Sequence, residues 1–264
     1  MINLLIHQSY QSTQVSIRSG DNALIFYIKH NFSREPFPIS AAQIKKSVQK
    51  FKTTGEKEVR ILCKQDTRED RPDIFQENGL FLLPSNNGHF LIIKGEGYVD
   101  IPEIKGYTKK YVSKLDFDLE TSKIGNSEMQ HLDFAYASSL IRTFTEDPTL
   151  VLTIRGRKYT PSFEFKVNGQ LIQTKGVQTE VDAGYEGKGK VVLVEAKNRA
   201  TRNVIIRQLY YPYRQWQEHT EKKVYTLFFE KTGENVYSIW EFEFTDPKNY
   251  NSIRLVKSGK FQIN

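Results

Sequence analysis

The N-terminal part of the chain alternates short apolar runs with turn residues. In residues 1–30, polar and apolar positions alternate in QVSIRSG and NALIFYIKH, which flank the turn-forming Ser19-Gly20-Asp21. This pattern predicts a β-hairpin. Ser40 then precedes AAQIKKSVQKF, in which apolar side chains recur at helical spacing. We therefore expect a helix that begins after Ser40, with Ser40 as its N-cap.

A second helix and a second hairpin follow in the same half. Thr67 is expected to cap a helix that ends at Asn78-Gly79. The apolar runs LFLLP and HFLIIKG are joined through Asn87-Gly88, which is a strong signal for a type I′ hairpin turn. Helices followed by a β-hairpin resemble a winged-helix arrangement. Residues 1–125 are predicted to form an α+β half, and the winged-helix resemblance implies that this half recognises DNA.

The C-terminal half has a more regular pattern. Ser127 is expected to cap a helix from Glu128 to about Thr145, and a further helix is expected over about Asn203 to Glu218. The segments with strand-like patterns are LVLTIRG, SFEFKV, GVQTEVDAG, KVVLVEAKN, KVYTLFFEK and VYSIWEFEF. This order predicts an α/β domain over residues 126–264, with a mixed sheet flanked by helices. We place the junction between the halves within residues 100–127.

The composition restricts the class of protein. The 264 residues include 38 Lys and Arg against 31 Asp and Glu, so the net charge is +7, which suits a polyanionic partner. Cys63 is the single cysteine, which excludes an intramolecular disulfide and a four-cysteine zinc site. The start MINLLIHQSYQ lacks the pattern of a signal peptide, and no run approaches the ~18 apolar residues of a membrane helix. We expect a cytoplasmic protein with no membrane partner.

The candidate chemistry lies in the segment from GVQTEVDAG to KVVLVEAKN. Four apolar residues, Val191 to Val194, indicate a strand that is buried on both faces. Glu195 and Lys197 follow directly and, being two residues apart, project from the same face. Burying both is costly unless they have partners or a function. If the preceding strand pairs antiparallel with this one, Asp182 arrives beside them.

Two carboxylates and one ammonium at a sheet edge suit the hydrolysis of a phosphodiester. Magnesium prefers oxygen ligands and keeps several waters, so Asp182 and Glu195 are predicted to bind Mg²⁺, with Mn²⁺ as a substitute. The metal neutralises the phosphate and activates a bound water, and Lys197 positions that water or helps to deprotonate it. The alternative for these residues is a structural ion pair at a strand end.

These residues resemble the motif of the PD-(D/E)xK nuclease superfamily, and of type II restriction endonucleases in particular, over about residues 128–245. The resemblance implies a restriction-endonuclease-like sheet in which Asp182 and Glu195 are metal ligands and Lys197 is the catalytic lysine. It implies an enzyme that cuts both strands of double-stranded DNA at a short sequence, as a homodimer. Val181 stands where the family usually has proline.

Other acidic and basic positions weaken or extend this assignment. Glu128 could be a further ligand, because a helical glutamate upstream sometimes is one in that superfamily. An acidic-x-Lys triplet alone carries little information, since others occur in this chain, among them Glu103 to Lys105, Glu164 to Lys166 and Glu221 to Lys223. The five histidines are scattered, and none makes a paired spacing suited to zinc or to an HNH-type site. No GxxxxGK phosphate-binding loop occurs, so we expect no nucleotide cofactor.

Several basic and amide side chains are candidate DNA contacts. In the catalytic half they are Arg199, Arg202, Arg207 and Arg214; in the N-terminal half they are Lys45, Lys46, Asn86 and Asn87. Arginine and lysine mostly meet phosphates, whereas asparagine can pair with adenine in the major groove. The alternative for each of them is an ordinary exposed position or, in the arginine-rich helix, a contact with the core.

Three functions remain open at this point. The first is a type II restriction endonuclease. The second is a repair or recombination nuclease of the same fold that reads DNA structure. The third is a DNA-binding protein that keeps the fold without catalysis. The presence of Asp182, Glu195 and Lys197 together argues against the third.

Overall fold

The computed structural model describes residues 2–9, 12–19 and 28–264. The strands before residue 112 are β1 (Ile2–Ser9), β2 (Ser12–Ser19), β3 (Ile28–His30), β4 (Phe37–Ser40), β5 (Leu80–Asn86), β6 (His89–Lys94), β7 (Tyr98–Asp100) and β8 (Lys109–Tyr111). The helices in this part are α1 (Ala41–Ser47), α2 (Thr54–Lys57), α3 (Val59–Leu62) and α4 (Asp73–Glu77).

The rest of the chain holds three helices and the longer strands. The helices are α5 (Glu128–Ala137), α6 (Leu140–Phe144) and α7 (Arg207–Gln217). The strands are β9 (Val151–Tyr159), β10 (Phe163–Val167), β11 (Gln170–Thr174), β12 (Gln178–Glu186), β13 (Lys190–Lys197), β14 (Asn203–Ile205), β15 (Lys223–Gly233), β16 (Val236–Phe244) and β17 (Ile253–Ile263).

A mixed sheet of seven strands lies between two layers of helices. Its strand order is β8-β17-β16-β15-β13-β12-β9. β13 is parallel to β15 and antiparallel to β12, and β17 is parallel to β8. One face of the sheet packs against α5 and α6 and the other against α7. The predicted α/β class, with a mixed sheet flanked by helices, is confirmed.

β13 is buried on both faces, as its apolar run predicts. Val191 and Leu193 belong to the core on the α7 side, whereas Val192, Val194 and Ala196 belong to the core on the α5 and α6 side. Because side chains alternate along a strand, this division assigns positions 195 and 197 to the α7 side. The acidic residue and the lysine of the motif therefore share one face.

The short elements of the N-terminal half form a separate small core. Ser40 caps α1 as predicted, since its hydroxyl accepts the Gln43 backbone N–H at 3.2 Å. The hairpin of β5 and β6 is confirmed. Its predicted type I′ turn is wrong, because Gly88 has a positive φ of 72° and Asn87 does not have a positive φ. β2 pairs antiparallel with β3, but Gly20 and Asp21 of the predicted turn lie outside the described residues.

The predicted helix from Glu128 to about Thr145 is two helices. α5 and α6 are separated at Ser139, whose φ of 67° is left-handed and stops the regular hydrogen-bond ladder. The helix predicted to begin at Thr67 is also divided. Thr67 caps only a 3₁₀ turn. Because the residue before a proline is held in an extended conformation, this turn ends before Pro72, and α4 begins after it.

Two further elements differ from the sequence prediction. The segment Asn203–Ile205 is strand β14, which pairs with β7, and the helix that follows begins only at Arg207. β17 (Ile253–Ile263) has no counterpart among the predicted strands, although it adds a full strand to the central sheet.

The two halves of the chain share structure across the predicted junction. β8 precedes residue 126 and yet pairs with β17 at one edge of the central sheet. The Tyr211 hydroxyl of α7 donates to the Pro84 carbonyl of β5 at 2.8 Å. The proposed boundary at 125 and 126 stays a prediction. Across the described residues, none of the helices has both the length and the apolar character needed to cross a membrane.

Candidate active site

Asp182 reaches the site through an irregularity in β12. The ladder between β12 and β13 ends at the pair Ala183 and Val194. On the other side of β12, the register with β9 shifts between Val181 and Gly184. Such a bulge re-aims a side chain. The Asp182 carboxylate takes up the next β13 donor, because its Oδ2 accepts the Ala196 backbone N–H at 2.7 Å.

Glu195 and Lys197 form a close ion pair at the end of β13. The Lys197 Nζ donates to Glu195 Oε1 at 2.5 Å. The side chains are only 10% and 17% exposed, for Glu195 and Lys197 respectively, so water screens this pair weakly. The structure therefore brings together all three predicted catalytic residues where the ladder between β12 and β13 ends, with Asp182 in the middle of β12 and Glu195 and Lys197 at the end of β13.

Burial dominates the electrostatics of the two carboxylates. It raises the pKa of Glu195 to about 7, with the ammonium of Lys197 opposing the rise and the charge of Asp182 adding to it. Burial also raises the pKa of Asp182, against the hydrogen bond from Ala196 and the charge of Lys197. Buried carboxylates with raised pKa values are typical of functional sites, where a bound cation is expected to stabilise their charged form.

Lys197 remains the positive group of the cluster. Burial by itself lowers the pKa of the ammonium, but the neighbouring carboxylates, Glu195 first, hold it above its ordinary value. The charge of Glu128, in the first turn of α5, adds to this rise and to the rise in the pKa of Asp182. Glu128, the weaker candidate ligand, thus lies within electrostatic reach of both residues.

The carboxylates are suited to a magnesium ion that keeps part of its water shell. Asp182 Oδ2 and Glu195 Oε1 are engaged, and the second oxygen of each carboxylate accepts no hydrogen bond from the described residues. These two oxygens, with water and a substrate phosphate, suit the hard oxygen preference of Mg²⁺. Within residues 2–9, 12–19 and 28–264, no group of three or more His, Cys, Asp or Glu side chains is arranged to hold a metal. A cation at this site would therefore take its remaining ligands from substrate and water.

Glu230 is a buried acidic residue beside the site that sequence reasoning missed. In the parallel pair of β13 and β15 it is the register partner of Lys197, and it is only 2% exposed. Its Oε1 accepts the Thr201 backbone N–H at 2.7 Å. Burial raises the pKa of Glu230 to about 7. The available signal was that KVYTLFFEK, like KVVLVEAK, places a glutamate directly after a buried apolar run.

A small cavity lies between β13 and α7 and is lined partly by Glu195. Gln208 and Thr226 also line it. The Oε1 atom of Gln208 is buried without a hydrogen-bond partner. Tyr211, on the same helix, is buried in the core, and its hydroxyl donates to a carbonyl of β5. Gln208 therefore lies on α7 opposite β13, with a side-chain oxygen that can still accept a hydrogen bond.

The predicted phosphate contacts of the C-terminal half differ in exposure. Arg199 and Arg202 are exposed in the loop that follows Lys197. Arg207 is 23% exposed and pairs with Asp66 at 3.5 Å. The prediction for Arg214 is wrong, because its guanidinium is buried.

Arg214 is held by the core on several sides. It donates to the carbonyls of Glu164 and Pro247 at 3.2 and 2.8 Å, and it lies over the Phe163 ring at 4.8 Å from the centroid. A guanidinium satisfied in this way stabilises the packing of α7 and is not available to DNA.

The predicted contacts of the N-terminal half are all on the surface. Lys45 and Lys46 are exposed on α1, and Asn86 and Asn87 are exposed at the tip of the hairpin of β5 and β6. Asn86 Oδ1 accepts the Asn87 backbone N–H at 2.7 Å, so Asn87 is the asparagine of the tip whose whole amide group makes no hydrogen bond with the described residues. The hairpin is held against the C-terminal half, because the Ser85 carbonyl accepts the Thr174 hydroxyl at 3.0 Å.

Comparisons with known proteins identify families without assigning an activity. Residues 93–262 match the family described as a domain of unknown function (DUF6997), and residues 24–92 match another, described as a domain of unknown function (DUF6996). Comparison with the curated proteins and with the solved structures gives no significant match.

Proposed function

This chain belongs to the family described as a domain of unknown function (DUF6997), and from its site we propose that it is a magnesium-dependent DNA endonuclease. One observation carries the proposal. Asp182, Glu195 and Lys197 converge where the ladder of two antiparallel strands ends, with a partly buried ammonium and two carboxylate oxygens that accept no hydrogen bond from the described residues. A structural ion pair needs neither the second carboxylate nor the bulge that re-aims it.

The chain's own residues account for the parts of a phosphodiester hydrolysis. Asp182 and Glu195 hold the divalent cation, which when bound neutralises phosphate charge and lowers the pKa of a water ligand. Lys197 places a fixed positive charge near the scissile phosphate, where negative charge increases in the transition state. Its nitrogen also orients the attacking water. Arg199 and Arg202, exposed in the following loop, bind neighbouring phosphates.

We propose further that the enzyme is of the type II restriction kind, with a restriction-endonuclease-like core. The mixed sheet between helical layers and the position of the motif on two neighbouring antiparallel strands support this resemblance. Cutting both strands of a duplex in one binding event is simplest with two active sites, so a two-fold symmetric homodimer suits it. The N-terminal half, with its winged-helix-like order of helices and hairpin, is the proposed reader of sequence.

Cleavage is expected to require magnesium or manganese. Incubation of phage DNA with the protein and Mg²⁺ should give discrete fragments on a gel, and an excess of chelator should abolish them. Calcium should support DNA binding without cleavage, because it accepts oxygen ligands but is larger and activates water poorly. Cleavage that persists in excess chelator would overturn the metal mechanism. Cutting confined to branched or damaged DNA would instead indicate a structure-specific nuclease.

Base recognition is expected at the exposed amides of the hairpin tip. Asn86→Ala or Asn87→Ala should weaken binding to the cognate site by about 1–3 kcal/mol and relax specificity, if the amide makes a bidentate contact with adenine. Competition binding with cognate and altered duplexes measures this change. A thermal melt of each variant controls for damage to the turn. An unchanged preference among duplexes in both variants would exclude the hairpin tip as the reader.

A further inference from the structure

Residues 45–64 concentrate the positive charge of the chain. This segment, which spans α1 to α3, contains seven lysines and arginines and two acidic residues, a net charge of +5, while the whole chain has +7. We call its basic side chains the basic surface: Lys45, Lys46, Lys50, Lys52, Lys57, Arg60 and Lys64. Most of the excess charge of the protein thus lies in less than a tenth of its length.

The basic surface projects outward from a fixed scaffold. Every member is exposed. Ile44 and Val48 anchor α1 from the opposite side, since they are 5% and 1% exposed. Among the ion pairs of the described residues, the surface contributes only that of Lys64 with Asp66 at 3.5 Å, where the lysine is 71% exposed. Intramolecular partners therefore neutralise little of this charge, which attracts a polyanion.

The end of the basic surface is fastened next to the motif strand. The Ile205 backbone N–H of β14 donates to the Asp66 carbonyl at 2.8 Å, and Arg207 pairs with the Asp66 carboxylate. The Arg68 backbone N–H donates to Asn203 Oδ1 at 2.7 Å. β14 and the start of α7 follow the loop that leaves Lys197. The end of the basic surface therefore has a fixed position relative to β14 and the start of α7.

We infer that the basic surface binds the phosphate backbone of duplex DNA without regard to sequence and guides the duplex to the active site. The inference rests on the proposed nuclease function. Lys45 and Lys46 then act as phosphate contacts, because lysine is a flexible point charge that suits phosphate, and phosphate contacts position a duplex without reading it. Base recognition is then left to other parts of the N-terminal half.

The test compares two variants that lose the same charge. The first is Lys45→Ala, Lys46→Ala, Lys50→Ala, Lys52→Ala. The matched control is Lys166→Ala, Lys175→Ala, Lys188→Ala, Lys248→Ala, whose four lysines are exposed elsewhere on the protein. Binding to a short duplex of arbitrary sequence is followed by fluorescence anisotropy, with calcium in place of magnesium, across a range of salt concentrations. Thermal melts confirm that both variants fold.

The first variant is expected to lose affinity and salt dependence, and the control to lose little of either. Each phosphate contact contributes about 0.9 to the slope of log K against log salt, so the slope should fall by up to about 3.6. The loss should be the same for unrelated sequences. Equal losses in the two variants, no loss in the first, or a loss restricted to one sequence would overturn the inference, as would failure of the wild type to bind duplex DNA.

Failure of the proposed function has a different signature in the same experiment. If the wild-type protein binds duplex DNA through the basic surface but does not cut it in magnesium, the proposed nuclease activity is wrong and the DNA-binding role of the basic surface is retained. If the wild-type protein cuts DNA but the first variant binds DNA as well as the control variant does, the DNA-binding role of the basic surface is wrong and the nuclease activity is retained.

Discussion

Replacing Glu195 with Gln is expected to lower DNA cleavage on the order of 10⁴-fold or more, the scale seen when a member of a cooperative catalytic unit is removed. The amide keeps the volume of the side chain but cannot serve as an anionic metal ligand. Asp182→Asn and Lys197→Met should have similar effects. Asp182→Asn is a mild structural change, because the amide oxygen can still accept the Ala196 backbone N–H. Rates of cleavage in magnesium measure all three.

Binding and folding separate a catalytic role from a structural one. DNA affinity in calcium should fall much less than cleavage in each variant. At about pH 8, Glu195→Gln should melt no lower than the wild type, because it removes a carboxylate whose ionisation burial disfavours. A structural ion pair predicts the reverse: a lower melting temperature and unchanged chemistry per folded molecule. Cleavage by Glu195→Gln at the wild-type rate would refute the assignment.

A matched control is available in another acidic-x-Lys triplet. Glu164 and Lys166 lie on β10, where Phe163, Phe165 and Val167 are buried and the two charged residues are exposed. Glu164→Gln and Lys166→Met have the same chemistry as the catalytic variants. We expect both to cleave DNA at nearly the wild-type rate.

The motif strand was predictable because its signal is local. Val191 to Val194 indicated burial on both faces, and the period of two placed Glu195 and Lys197 on one side. Ser40 and the hairpin at Gly88 were predictable for the same reason, since a cap and a turn are determined by neighbouring residues. In each of these cases the chemistry of a few consecutive residues determined the outcome.

Features that depend on pairing between distant segments were not predictable. The bulge at Asp182 lies where the register with β9 shifts and the ladder with β13 ends. The sequence of β12 alone specifies neither feature. Glu230 becomes a neighbour of Lys197 only through the parallel alignment of β13 and β15. Arg214 shows the same limit, because arginine among aromatic residues suits both a DNA-binding face and a core contact.

Replacing Glu230 with Gln is expected to stabilise the metal-free protein at high pH. Burial raises the pKa of Glu230 from its ordinary value of 4.5 to about 7, so ionising this carboxyl opposes folding. Folded protein holds the proton more tightly than unfolded protein, and the stability of the wild type therefore falls as the pH rises from about 4.5 to 7. Gln removes this penalty, and its amide oxygen can still accept the Thr201 N–H.

The gain in the free energy of unfolding should be nearly absent at about pH 4 and should reach about 3 kcal/mol above pH 7, since one pKa unit corresponds to about 1.4 kcal/mol. Urea denaturation at several pH values, with chelator present, measures it. Glu234→Gln, which removes an exposed carboxylate beyond the end of the same strand, is the control and should change stability little at any pH. A variant Glu230→Gln that is less stable than the wild type at about pH 8 would mean that the charge of Glu230 is compensated in the folded protein, by Lys197 or by the Thr201 loop. The buried carboxylate would then support the fold instead of straining it.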